Sequence, residues 1–196
     1  MKYPENIQEV AALCPDYMGF IFFDQSARNF SGPMPEIDAA IKKTGVFVDA
    51  SFEIIRDKIR EYGFKAVQLH GRESPLFCRQ IKALGVEVFK VFSVKNDFDF
   101  SRLTPYEKEV DYFLFDTKGK YPGGNGIIFN WKLLQAYPSE VPLILSGGIG
   151  PEEIASLKEL MEMDLPLYAI DINSRFENKP ALKDVELLKE FFNKIR

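Results

Sequence analysis

The residues with the widest chemical reach in this chain recur at one kind of place, the end of a short apolar run. Asp24 and Arg28 follow Tyr17–Phe23, Asp49 follows Gly45–Val48, and His70-Gly71 follow Ala66–Leu69. Ser93 sits near the end of Glu87–Val94, and Asp116 closes the run that starts at Tyr112. Gly147-Gly148 come after Pro142–Leu145, and Asp171, Asn173 and Ser174 after Leu167–Ile170. A carboxylic acid can hand over a proton, and an arginine fork can take a carboxylate through two parallel hydrogen bonds. A glycine pair lets main-chain amides approach an anion, and the N-terminus of a following helix adds to that attraction. Each residue also has a plainer use. Asp49 is expected to cap the helix that begins near Phe52, and Ser93 could simply be solvated. Asp116 could be a cap or an ion-pair partner, and Arg28 a loop arginine in water. Gln68 and His70 could satisfy backbone groups.

The elements that must position these residues alternate along the chain. Helices are expected over Pro4–Leu13, Pro35–Lys42, Phe52–Tyr62, Ser74–Leu84, Pro151–Met161 and Asp184–Lys194, with weaker ones at Phe98–Thr104 and Trp131–Tyr137. Ser74-Pro75 fits an N-cap followed by proline at the first helical position, and Gly63 and Gly85 fit helix stops. Lys118–Gly126 is a glycine-rich loop. Short apolar strands alternating with amphipathic helices mean a parallel sheet covered by helices. About seven strands and eight helices, starting with a helix, are one strand short of a (β/α)8 barrel. A doubly wound open sheet is the second architecture, weakened by the lack of a GxGxxG turn after an early strand. In a barrel, glycine and polar turns after the last two strands commonly hold a phosphate, which suits Gly147, Gly148, Asn173 and Ser174.

Bulk properties narrow the classes. The 196 residues are 46% hydrophobic, enough for one domain with a sizeable core. Twenty-five Lys and Arg face 29 Asp and Glu, a net charge of -4, which argues against a nucleic-acid surface. No apolar run approaches the ~20 residues of a membrane span, and Met1–Asn6 has no apolar signal core, so a cytoplasmic protein is expected. Cys14 and Cys78 have no CxxC or CxH neighbours, so no zinc site is readable, and both are expected to be buried, reduced thiols.

Five blocks resemble the phosphoribosylanthranilate isomerase family, in family order and at natural spacing. They are Gly19-Phe20-Ile21-Phe22 with Ser26-Ala27-Arg28; Gln68-Leu69-His70-Gly71; Phe115-Asp116-Thr117 with Gly123-Gly124-Asn125-Gly126 and Phe129-Asn130-Trp131; Leu145-Ser146-Gly147-Gly148-Ile149; and Asp171-Ile172-Asn173-Ser174 with Lys183-Asp184. The resemblance implies a ribulose-phosphate-binding (β/α)8 barrel. Its reaction would be the Amadori rearrangement of N-(5-phosphoribosyl)anthranilate in tryptophan biosynthesis, needing neither cofactor nor metal. It implies Asp116 as the general acid, with a pKa raised by burial, and Arg28 as the holder of the anthranilate carboxylate. Gly147, Gly148, Asn173 and Ser174 would cradle the phosphate. Gln68, His70 and Asp171 would meet the rest of the substrate, Asp171 at the sugar hydroxyls. A monomer or homodimer is expected.

The sequence departs from the family at its start. Family members open with a strand of the form K-[IV]-C-G-[IM] whose cysteine is the general base, and Met1–Ile7 resembles the stretch just after that Cys-Gly. The chain is therefore expected to lack the first strand and the base together, to leave a gap in the barrel wall, and to be catalytically impaired. Side chains, a partner chain or a displaced N-terminal stretch would fill the gap. Cys14 cannot serve as the base, since it lies at the far end of the first helix. Arg175, Asn125 and Asn130 replace a family glycine, threonine and aspartate. Two other readings remain: a phosphate-binding barrel acting on a related indole-pathway or ribulose-phosphate substrate, and a barrel that binds sugar phosphates without turnover.

Overall fold

The computed structural model describes residues 1–117 and 130–196; the glycine-rich loop expected over Lys118–Gly126 lies outside them. Helix α1 (Pro4–Ala11) comes first. Seven strands follow: β1 (Tyr17–Phe22), β2 (Lys42–Phe47), β3 (Ala66–Leu69), β4 (Glu87–Val94), β5 (Tyr112–Thr117), β6 (Leu143–Leu145) and β7 (Leu167–Ile170). They form one sheet in sequential order, every pairing parallel. Helix α2 (Phe52–Tyr62) connects β2 to β3, α3 (Pro75–Lys82) connects β3 to β4, and α4 (Ile154–Met161) connects β6 to β7. A small antiparallel hairpin, β8 (Glu177–Lys179) with β9 (Leu182–Lys183), precedes the last helix α5 (Val185–Ile195).

Local chemistry sets the helix ends. Ser74 Oγ accepts from the Phe77 amide at 3.2 Å and Asp184 Oδ1 from the Leu187 amide at 3.0 Å, satisfying donors that open a helix. Gly63 ends α2 at φ +65°, its amide on Ile59 O at 2.9 Å, a conformation costly for other residues.

The expected helix over Pro35–Lys42 does not form. The segment before β2 is irregular, and Lys42 belongs to the strand. Asp38 closes a turn onto the amides of Ala40 and Ile41, and the Lys42 amide is taken by Asp16 O instead of an i−4 carbonyl. The weak helices are 3-10 turns over Phe100–Tyr106 and Trp131–Ala136, and the helix expected from Pro151 opens with a 3-10 turn over Pro151–Glu153. Nothing in the pattern foresaw the β8–β9 hairpin.

Alternate strand residues split into two cores. Val67, Leu69, Val88, Phe113, Phe115, Leu143 and Leu145 pack with the helices. Ala66, Phe89, Val91, Leu114 and Ile144 form a separate cluster inside the curve of the sheet, capped by Tyr17, Tyr112 and Ala169. Because side chains alternate along a strand, the inner columns run on to Gln68 and His70, Ser93, Asp116, Ser146 and Asp171.

Strands β1 and β7 are the two edges of the sheet. Side chains bridge them at one end, where the Tyr17 and Tyr168 hydroxyls stand 2.9 Å apart. Tyr17 also reaches Glu87 at 2.8 Å. Further up, the Met1 main-chain nitrogen donates to Gly19 O at 3.0 Å. Among the described residues no helix is long and apolar enough to cross a membrane.

Candidate active site

The inner columns end at a cavity of about 1720 Å³ on the rim formed by the strands' carboxyl ends. Arg28, Gln68, His70, Asp116, Gly147, Gly148, Asp171, Asn173 and Ser174 all border it, whereas Asp24 borders a separate hollow. The cavity continues down the β1/β7 side past Met18 and Phe191, which makes it larger than the ~300–1,000 Å³ usual for a small-molecule site.

Asp116 is the centre of the described geometry. Its Oδ2 is 3.5 Å from His70 Nε2, and the two side chains are 19% and 29% exposed. Gly147 (φ +87°) packs directly on the end of β5: a Cβ there would stand 2.5 Å from Asp116 Oδ1 and closer still to the Thr117 amide. Thr117 Oγ1 donates to Gly147 O at 3.3 Å. Glycine is needed here both for the left-handed backbone and for the contact. Gly148 shares that backbone region at φ +75°. The amide of Gly150 is taken by Glu153 Oε2 at 2.8 Å, which removes it from any anion cradle at the start of the next helix.

Across the rim, Ser146 Oγ donates to Asp171 Oδ2 at 3.2 Å. Burial, then the nearby charge of Asp116, push the Asp171 carboxyl above its ordinary value. Arg28 is not a free loop arginine. Its Nε and Nη2 donate to Glu177 Oε2 at 2.9 and 2.7 Å. Asn173 accepts twice from Lys183 Nζ, at its main-chain oxygen (2.8 Å) and its Oδ1 (2.6 Å). Arg175, at the position of a family glycine, pairs with Glu152.

Several plainer expectations resolve here. Asp49 does not cap α2; Ser51 does. Asp49 instead has φ +49° and accepts from the Arg72 amide at 2.6 Å, bracing the loop after β3. Ser93 is exposed. Of the two thiols expected to be buried, only Cys78 is; Cys14 is exposed, because it closes α1 in a surface turn at φ +52°.

One pair that holds the site was not foreseen from the sequence. Lys90 and Glu73 form a 2.7 Å ion pair, each side chain 3% exposed. Lys90 Nζ also donates to Leu69 O and Gly71 O at 3.2 and 2.8 Å, the carbonyls either side of His70. Glu73 Oε1 accepts from the Asp49 and Gly71 amides. The signal was available: a lysine in the middle of Val88–Phe92, an otherwise apolar run, needs a buried partner. No group of three or more His, Cys, Asp or Glu side chains among the described residues could hold a metal ion.

A family model described as N-(5'phosphoribosyl)anthranilate (PRA) isomerase matches residues 1–194. The chain belongs to the phosphoribosylanthranilate isomerase family. It is 44% identical over 197 residues to the N-(5'-phosphoribosyl)anthranilate isomerase of Phocaeicola vulgatus, covering 100% of this chain and 95% of that one. The solved phosphoribosyl anthranilate isomerase of Thermotoga maritima superposes with a TM-score of 0.84 at 30% identity, covering 100% and 95% of the two chains. A structure of such an isomerase in complex with reduced 1-(o-carboxyphenylamino)-1-deoxyribulose 5-phosphate matches with a TM-score of 0.82 at 29% identity, covering 100% and 94%. The fold is that of the family's barrels, carried here by seven parallel strands among the described residues, and the expectation of an open doubly wound sheet is set aside.

Proposed function

We propose that the rim cavity binds N-(5'-phosphoribosyl)anthranilate and rearranges it to 1-(2-carboxyphenylamino)-1-deoxyribulose 5-phosphate. The observation that carries this is the shared lining of one cavity by an acid (Asp116), a cationic fork (Arg28) and two polar turns (Gly147-Gly148 and Asn173-Ser174). Those are the parts a substrate with a carboxylate at one end and a phosphate at the other requires. Asp116 protonates the ring oxygen as the C1–O bond opens. A base then takes the proton from C2, and the enolamine becomes the ketone as C1 gains a proton and the C2 hydroxyl loses one. Glu177 occupies the Nε edge of Arg28, leaving three of the guanidinium's five N–H groups for the anthranilate carboxylate. Gly147, Gly148, Asn173 and Ser174 hold the phosphate, while Gln68, His70 and Asp171 face the sugar.

Proton removal is the step for which neither cysteine is suited. Cys78 is buried in α3, its thiol pushed up to about 12 by burial, and Cys14 precedes β1, at the opposite end of the strand from Arg28. A Cys-Gly turn set beside β1 would supply the base. The test is turnover, followed as loss of phosphoribosylanthranilate fluorescence. It compares this 196-residue chain with a form extended by an N-terminal strand ending in Cys-Gly. Turnover by the extended form alone supports the assignment. Turnover by the shorter form refutes the placement of the base. Tight binding of the reduced product analogue with no turnover by either folded form favours a binding-only barrel.

A further inference from the structure

The loop after β1 and the loop after β7 leave strands that are not paired with each other among the described residues. Yet these loops carry Arg28 and Asn173, the residues assigned to opposite ends of the substrate. One side chain spans them. Glu177, at the start of β8, is 3% exposed. It accepts from Arg28 Nε and Nη2 and, through Oε1, from Lys183 Nζ at 3.0 Å.

We infer that Glu177 is a positioning residue that holds the carboxylate-binding and phosphate-binding loops at a fixed separation. The inference rests on the roles proposed above for Arg28 and Asn173.

Donor counting supports it. A lysine ammonium has three N–H groups, and those of Lys183 go to Asn173 O, Asn173 Oδ1 and Glu177 Oε1. Lys183 is thus fully committed inside the protein and acts on a ligand only through Asn173. Arg28 keeps three donors for a ligand beside the two it gives to Glu177. The chain of contacts runs Arg28, Glu177, Lys183, Asn173, from one rim loop to the other with no intervening main chain. Two cations share one carboxylate beside a cavity meant for a ligand with two anionic groups. Burial would raise Glu177 and lower Lys183. The hydrogen bond from Arg28 and the charge of Lys183 outweigh burial at Glu177 and hold its carboxyl below the usual range. Burial wins at Lys183, which stays below the usual lysine value.

A spacer has a signature that a general stabiliser lacks. A ligand that engages both loops depends on their separation, whereas a ligand that engages one does not. The test measures three affinities for wild type and Glu177→Gln: the reduced product analogue, inorganic phosphate alone, and anthranilate alone. Glutamine keeps the shape but cannot accept a bidentate fork together with an ammonium. The analogue is expected to weaken by about ten- to a hundredfold, the scale of charged hydrogen bonds. Phosphate and anthranilate should each change by less than about threefold, a difference of under 1 kcal/mol. Should the glutamine variant not fold, Glu177→Asp, too short to reach both cations, is read by the same criterion. Unchanged analogue binding, or an equal loss for all three ligands, overturns the spacer role alone. A wild-type chain that binds neither the analogue nor phosphate overturns the functional reading and the spacer with it.

Discussion

Replacing Gly147 by alanine isolates how tightly the loop after β6 is packed against Asp116. Two costs arise. The residue has φ +87°, where a Cβ costs about 1–2 kcal/mol. The added atom also stands 2.5 Å from Asp116 Oδ1 and against the Thr117 main chain, and overpacking of this kind costs about 1–3 kcal/mol. Gly85→Ala is the control, because Gly85 has φ +80° with nothing within 4 Å of a Cβ. It carries the backbone cost without the contact, and the entropy that alanine removes from the unfolded chain is common to both variants. The excess for Gly147→Ala is therefore about 1–3 kcal/mol, roughly 0.5–1.5 M in urea midpoint for a slope near 2 kcal/mol per M. Urea unfolding of the two variants beside wild type reads that excess. Affinity for the reduced product analogue should fall for Gly147→Ala and hold for Gly85→Ala. Equal midpoints for both variants would refute the close packing of the glycine turn on the end of β5.

Other perturbations separate the remaining roles. Asp116→Asn, made in whichever form turns over, should lower turnover about 10²–10⁴-fold while leaving the urea midpoint near wild type; an active asparagine variant would move the general acid elsewhere. Lys90→Met leaves Glu73 buried without its partner, so a loss of about 3–5 kcal/mol is expected, and a double variant that also makes Glu73→Gln should recover part of it. Asp171→Asn should be more stable than wild type at neutral pH. The folded pKa of Asp171 lies above its ordinary 3.8, so the folded state binds this proton more tightly than the unfolded state. Ionisation then opposes folding as pH rises through that window, and the cost is absent well below it. A stability difference that does not change with pH would exclude this. Glu177→Gln has the opposite sign. The Glu177 pKa is depressed below its ordinary 4.5, so its stabilising effect is present above that value and disappears as pH falls through the folded pKa.

Much of the fold could be read from periodicity because most connections obey local rules. Phe52–Tyr62 is bounded as expected, since Ser51 and Gly63 supply the cap and the stop. Strands Ala66–Leu69 and Glu87–Val94 also match, since apolar runs buried on both faces leave little choice. The segment from Pro35 does not form the expected helix because the amides of Ala40, Ile41 and Lys42 are committed to Asp38 and Asp16. The residues proposed for the site could be named in advance because they fall in blocks that resemble the family and follow strand ends. What joins those residues could not. Glu177 lies in a stretch with no strand or helix period, and its partners Arg28 and Lys183 are 149 and 6 residues away. Such a contact exists only once the chain has folded back on itself.

Asn6 and Lys183 meet through two hydrogen bonds, Asn6 Nδ2 to Lys183 O at 2.9 Å and Lys183 N to Asn6 Oδ1 at 2.7 Å, across 177 residues of sequence. The residue that secures Asn173 on the rim is thereby fastened to the first helix. During synthesis the Asn173 turn cannot take its final form until residue 183 has left the ribosome and found residue 6. After folding, the same clasp works in reverse. An anion held by Asn173, as proposed above, would oppose fraying of α1 and of the β8–β9 hairpin, and its mass-action stabilisation would reach parts of the chain it never touches.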